Sequence, residues 1–235
     1  GFLLGAIVFQ LIVMVCAELL IRRDAAVVFK GAFELLKQSS ITNYLSRNPN
    51  NIPLFLYEKF FYVLFGSSGL WVMQLLNMLY VNLGAVLLYK LSQKHFNQKT
   101  ADLVYLFYVS LICYSPYFYS MYTDIPPLPL IALQLWWALD LLKENQAGIS
   151  WKKMFGLGIL SGVTMLIRPT TIIVMIAFWA VLFFRGNWKV FGKIATVTVM
   201  TTGFVFAGLN TAVNHQRVVP ILKEEGLSKG PLLFI

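Results

Sequence analysis

Residues 154–184 read MFGLGILSGVTMLIRPTTIIVMIAFWAVLFF, and this stretch decides the fold class. It is apolar almost throughout, interrupted near its middle by Arg168-Pro169-Thr170-Thr171. One straight helix of that length would run roughly 45 Å at about 1.5 Å per residue, well beyond a hydrocarbon core of about 30 Å. Two half-length helices meeting at the Arg-Pro break fit better. Both outer flanks are basic, Trp151-Lys152-Lys153 before the run and Arg185-Gly186-Asn187-Trp188-Lys189 after it. Both ends of the pair therefore belong on one side of a membrane. Irregular backbone at such depth is tolerated only where protein buries it or a wet cavity adjoins it.

The composition agrees along the whole chain. Of 235 residues, 58% are hydrophobic and 12% charged, against about 25% charged in soluble domains. Mean hydropathy is +0.71. A soluble α/β enzyme, a disordered chain and a disulfide-stapled secreted domain are excluded, which leaves an all-α polytopic membrane protein. Nineteen Lys and Arg against ten Asp and Glu give a net charge of +9. No basic helix or aromatic-basic module stands apart from the apolar spans, so this excess reads as a topology signal and a contact with anionic lipid, not as a nucleic-acid site. Cys16 and Cys113 sit inside apolar runs, which argues against a disulfide framework or a metal cluster.

Further spans are expected at residues 2–21, 70–91, 101–122, 128–142 and 194–210, making seven helices with the broken pair. The third is rich in tyrosine, and Pro116 should kink it or end its regular part. Between the first two spans, residues 22–69 form a loop with two amphipathic helices, at 25–36 and 52–65. Pro53 suits the first turn of the second. Three short connections, 90–101, 143–153 and 185–193, carry nine of the nineteen bases and are assigned to the cytoplasm. The loop 22–69, Asp24, Asp124 and the C-terminal tail then face outward. The chain 1–235 reads as a single transmembrane module. Its apolar start and its last run, Gly230 to Ile235, suggest that it is cut from a longer protein.

Few residues are able to carry chemistry. Asp24 follows the first span directly, beside Arg22 and Arg23; Asp is also a common helix cap. Asp124 tops the third span after Tyr122 and Thr123, where a turn residue is the simpler reading. As a pair on one face, the two carboxylates could flank a sugar or share a cation. Arg168 lies deep in an apolar run and needs a partner or water, and Glu18 and Glu58 pose the same question. Asn50 and Asn51 precede Pro53 in a turn, and His215 lies in the polar tail. No GxGxxG, Walker, HExxH or GxSxG pattern stands in a usable context.

Taken together, the layout resembles a known superfamily. Arg22-Arg23-Asp24-Ala25-Ala26 ends the first span, and Asn48-Pro49-Asn50-Asn51-Ile52-Pro53 turns within the loop. Phe65-Gly66-Ser67-Ser68 opens the second span, Tyr122-Thr123-Asp124 tops the third, and Arg168-Pro169-Thr170 breaks the short pair. This resembles the GT-C superfamily of polyprenyl-phosphate-sugar-dependent membrane glycosyltransferases. It looks closest to the bacterial branch related to protein O-mannosyltransferases and lipid A aminoarabinose transferases. The resemblance spans essentially the whole chain and implies the superfamily's seven-helix module in the plasma (inner) membrane, with the active face extracytoplasmic.

It further implies a catalytic aspartate at the position of Asp24 and a second acidic site residue at that of Asp124. The adjacent acidic pair of several members is replaced here by Asp24-Ala25. The donor would be a polyprenyl-phosphate sugar, and the acceptor a hydroxyl on a glycan, a lipid or a protein. Asp24 would act as base in an inverting displacement with an oxocarbenium-like transition state. Arg217 or Lys223 would stabilise the leaving phosphate. Asp124 would orient the acceptor or help hold a divalent cation, and Tyr122, Asn50 and Asn51 would contact substrate. The competing expectation is a polytopic transporter or lipid flippase that uses the broken helix at Arg168-Pro169 as part of its path.

Overall fold

The computed structural model describes residues 2–17, 21, 23–119, 121–143 and 150–213. Among these the chain is helix and turn, without a strand. It divides into two compact units, the first Gly1–Asn82, Tyr108–Pro126 and Asn210–Ile235, the second Leu83–Phe107 and Pro127–Leu209.

In the first unit, α1 (Phe2–Cys16) is followed by α2 (Arg23–Ala32), α3 (Gln38–Arg47), a 3-10 turn at Pro49–Asn51 and α4 (Ile52–Phe65). A second 3-10 turn, Gly66–Ser68, leads into the 27-residue α5 (Gly69–His95). The loop thus holds three helices where two were expected. The added one, α3, has too few apolar residues for a pattern search. It exists because Ile41 and Leu45 bury themselves against Ile52. The expected helix over 25–36 stops at Ala32. Glu34 turns left-handed (φ 60°), and the N–H of Leu35 reaches back to the carbonyl of Lys30 at 2.7 Å. This closure satisfies carbonyls the helix end would otherwise leave open. Lys59 on α4 then pairs with Glu34 at 2.7 Å. Phe29, Phe33, Phe61 and Met73 fill the space between α2, α4 and α5.

The third span also ends differently. Helix α6 (Gln98–Tyr108) widens into a π turn at Val109–Cys113 and stops before Pro116, which opens a short 3-10 turn, Pro116–Tyr119. A residue ahead of proline is pushed out of the helical region, so the helix ends upstream of the proline itself. The carbonyl of Cys113 is taken by Nε2 of Gln10 at 2.8 Å, and Oε1 of Gln10 accepts from Asn82 at 2.6 Å. Gln10 is wholly buried, so α1 is joined to its neighbours by a polar contact as well as by packing.

The second unit contains α7 (Leu128–Lys143), α8 (Trp151–Ile167), a 3-10 turn at Pro169–Thr171, α9 (Ile172–Phe184) and most of α10 (Trp188–Val213). The break expected at Arg168-Pro169 is present, and its polar groups are closed locally. The N–H of Arg168 bonds to the Thr164 carbonyl at 2.9 Å, and the Arg168 carbonyl accepts from Oγ1 of Thr171 at 2.8 Å. Half-buried Arg168 directs Nε to Oγ1 of Thr170 at 3.3 Å. Met154, Leu157, Met175, Phe178, Leu182 and Ile194 form the core of this unit.

Among the described residues, two helical runs are long and apolar enough to cross a bilayer alone, Pro49–His95 and Trp188–Val213. The 15-residue α1, 16-residue α7, 17-residue α8 and 13-residue α9 are each shorter than the roughly 20 residues a lone span needs.

Helix α8 meets α10 through Gly158-Ile159-Leu160-Ser161-Gly162, a small-xxx-small face. A Cβ on Gly158 would lie 2.6 Å from Cβ of Thr201, and one on Gly162 would lie 2.9 Å from Val205. Oγ1 of Thr202 donates to the Gly158 carbonyl at 3.1 Å. Gly158→Leu should force the helices apart at a cost of about 1–3 kcal/mol. A lower melting midpoint in detergent is the expected result, and an unchanged one would show that the two helices separate freely.

Candidate functional site

Asp24 lies in the first turn of α2, where its charge suits the helix N-terminus. The carboxylate is exposed. The chain enters this turn through Arg23 in the left-handed region (φ 56°), a conformation non-glycine residues seldom hold. Helix α3 brings Tyr44 close enough for the Asp24 charge to act on its phenol. Tyr44 also accepts a hydrogen bond from Nδ2 of Asn51 at 2.6 Å. Tyr122 is close enough to act on Tyr44 electrostatically. Burial first, and the Asp24 charge second, push the Tyr44 phenol up to about 12, while the Asn51 bond opposes them. Tyr44 therefore keeps its proton at neutral pH.

Of the residues the sequence marked out, Asn51 bonds Tyr44, and Asp24 and Tyr122 lie near enough to act on its phenol electrostatically. Asn51 is buried and Asn50 is exposed, so only Asn51 faces this cluster's interior. Asp124 has a different phenol partner, accepting from Tyr117 at 2.7 Å. Its segment is fixed by Tyr119, which donates to the Ala17 carbonyl at 2.9 Å, and by buried Met121. Glu18, His215, Arg217 and Lys223 lie outside the described residues. No group of three metal-ligating side chains occurs among the described residues, and Asp124 is engaged by the Tyr117 phenol. The described residues therefore do not gather the donor set expected for a divalent cation.

Sequence reasoning missed Tyr44 because α3 itself was not legible. The signal present was a tyrosine isolated in a polar stretch, Thr42-Asn43-Tyr44-Leu45-Ser46. It also missed a charged knot in the second unit. Asp140 of α7 lies 2.7 Å from Nζ of Lys94, 2.9 Å from Nε2 of His95 and 3.6 Å from Nζ of Lys153. Lys143 donates to the His95 carbonyl at 2.7 Å, Arg185 to the Leu142 carbonyl, and Lys193 lies over the Trp151 ring. These contacts gather the basic ends of α5, α7, α8, α9 and α10 at one end of that unit. Three of the bases share Asp140, whose acceptors limit the repulsion between them.

Glu58 departs from expectation. A charge at depth should have a partner or water. Glu58 is wholly buried in the first unit, and neither carboxylate oxygen has a hydrogen-bond partner among the described residues.

This is the architecture of a helical integral membrane protein with a polar cluster on a loop between its helices. The chain belongs to the family described as conserved hypothetical integral membrane protein, whose profile matches residues 1–233. No curated protein and no solved structure matches it significantly.

Because an unpaired acid in an apolar interior costs about 1–3 kcal/mol or more, Glu58→Met should raise the melting midpoint of the purified protein by a few degrees. A fall instead would mean that a ligand or a partner group completes this position.

Proposed function

We propose that this chain is the membrane module of a glycosyltransferase that moves a sugar from a polyprenyl-phosphate donor to an acceptor hydroxyl on the extracytoplasmic face. The observation that carries the reading is the exposed Asp24 carboxylate at the head of α2, beside a phenol that keeps its proton. A lipid-linked donor holds its anomeric carbon at the membrane surface, because its tail stays in the bilayer. A carboxylate on a loop helix directly after a membrane helix suits that height.

In the proposed reaction the acceptor oxygen attacks the anomeric carbon and the bond from that carbon to the phosphate oxygen breaks. The lipid phosphate leaves with the electron pair, and Asp24 takes the acceptor's proton. A single displacement inverts the anomeric centre. The leaving phosphate needs positive charge more than it needs an acid. Exposed Arg23, next to Asp24, offers one such charge within the described residues. Asp124, held by Tyr117, is suited to orienting the acceptor.

The test is transfer of label from radiolabelled polyprenyl-phosphate sugars, in membranes holding the complete protein. Loss of a general base lowers rates by about 10²–10⁴-fold, so Asp24→Asn should reduce transfer at least a hundredfold while the protein stays folded. Equal transfer by both proteins would remove Asp24 from the mechanism. Absence of transfer with every donor, from folded wild-type protein, would overturn the enzyme reading and direct the work to a flux assay across vesicles.

A further inference from the structure

We infer that the basic end of the second unit seats the phosphates of anionic phospholipids, with Lys152, Lys189 and Lys193 as the cations and Trp151 and Trp188 as the flanking rings. The inference is independent of the reaction at Asp24. Net charge alone predicts a general affinity for anionic lipid, and the packing narrows it to one place. Helices α8 and α10 run in the same direction, since Gly158 meets Thr201 and Gly162 meets Val205. Their first turns therefore lie side by side. Trp151 opens α8, and Nζ of Lys193 stands 4.5 Å from the centroid of its ring. Trp188 opens α10, and Phe183 of α9 holds it edge-on with ring centroids 4.6 Å apart.

The charges at this end are unbalanced. Among the described residues of the unit the carboxylates are Asp102 and Asp140. Asp140 is occupied by Lys94, His95 and Lys153. Asp102 accepts from the side-chain amide of Gln98 at 2.7 Å. Lys152, Lys189 and Lys193 are exposed and make no ion pair among the described residues. Neither α8 nor α10 has an acid in its first turn. The lysines of those turns therefore oppose the helix dipoles and repel one another. An anion from outside the chain relieves both.

The rings decide which anion it is. Trp151 is 51% exposed, Trp188 60% and Phe184 85%. Free inorganic phosphate would meet the lysines and leave these rings in water. A phospholipid engages both, its phosphate meeting the ammonium groups while its glycerol and upper chains cover the rings, as amphipathic rings and lysines do at a membrane interface. The headgroup must carry net negative charge, because a zwitterionic one brings its own cation. The basic connections at this end are those assigned to the cytoplasm by their charge, and the cytoplasmic leaflet is the anionic one.

The test is the melting midpoint of the purified full-length protein in detergent, titrated with phosphatidylglycerol, with phosphatidylcholine of the same chains, or with inorganic phosphate. Phosphatidylglycerol should raise the midpoint well beyond phosphatidylcholine, and inorganic phosphate should leave it unchanged. Each lysine near an anionic lipid surface contributes about fivefold, so Lys152→Gln/Lys189→Gln/Lys193→Gln should weaken the apparent affinity for phosphatidylglycerol about a hundredfold. Lys30→Gln/Lys37→Gln/Arg47→Gln removes the same charge from exposed positions of the first unit and should leave that affinity unchanged. Arginine at positions 152, 189 and 193 should preserve it, which separates lost charge from lost folding. Equal shifts with the two lipids, or none with phosphatidylglycerol, would overturn the inference. A matching shift with inorganic phosphate would assign the site to a free anion instead. Equal weakening by the two glutamine triples, or wild-type affinity in the first, would show that these three lysines are not the seat.

Discussion

Backbone amides and carbonyls at membrane depth have no water to bond, so each interruption of a helix must close on groups the protein itself supplies. This constraint bears on two places where an apolar run departs from regular helix. At Arg168-Pro169, the Arg168 amide bonds the Thr164 carbonyl, and the Arg168 carbonyl accepts from the Thr171 hydroxyl. At the π turn of residues 109–113, the freed Cys113 carbonyl is met by Gln10 from α1. Neither departure is a flaw in an otherwise apolar design. Each lets a helix end or turn where the sequence could not otherwise afford it, and each ties one helix to another or to its own continuation.

The loop between α1 and α5 solves a different problem. Its helices are too short to be stable alone in water. They persist because α2 and α4 share an aromatic core with α5, and because α3 lays Ile41 and Leu45 on the start of α4. That packing turns a polar segment into a rigid frame. Within the frame, the turn Asn48 to Asn51 bonds Tyr44 at both its carbonyl and its phenol, near Asp24. The exposed carboxylate is thus carried by short helices whose positions depend on one another. In the second unit the equivalent order is electrostatic, with Asp140 shared among Lys94, His95 and Lys153 where helix ends bring positive charges together.

Much of this was legible in the residues. Hydrophobic runs marked α5, α7, α8, α9 and α10, since burial in lipid demands long apolar segments whatever the tertiary fold. The Arg-Pro pair marked the broken hairpin, since proline lacks the amide a helix needs. Asp24, Asn51 and Tyr122 were legible as candidates because polar residues flanking apolar helices are few. Other features were hidden. Helix α3 left too weak an apolar pattern, Glu34 gives no hint in sequence that it will turn left-handed, and the glycines at 158 and 162 are separated from Thr201 and Val205 by an entire helix.

The sequence by itself determined that this is an all-helical membrane protein, where its apolar runs interrupt, and which carboxylates stand at their ends. It could do so because hydrophobicity and proline geometry act locally, through neighbours along the chain. Only the tertiary structure decided that Asn51 bonds Tyr44, that Asp124 pairs with Tyr117, that Asp140 gathers three bases, and that Glu58 is buried without a hydrogen-bond partner among the described residues. Those relations join residues between 7 and 46 positions apart. Side-chain direction and helix packing settle such contacts, and neither is written in the order of residues along one element.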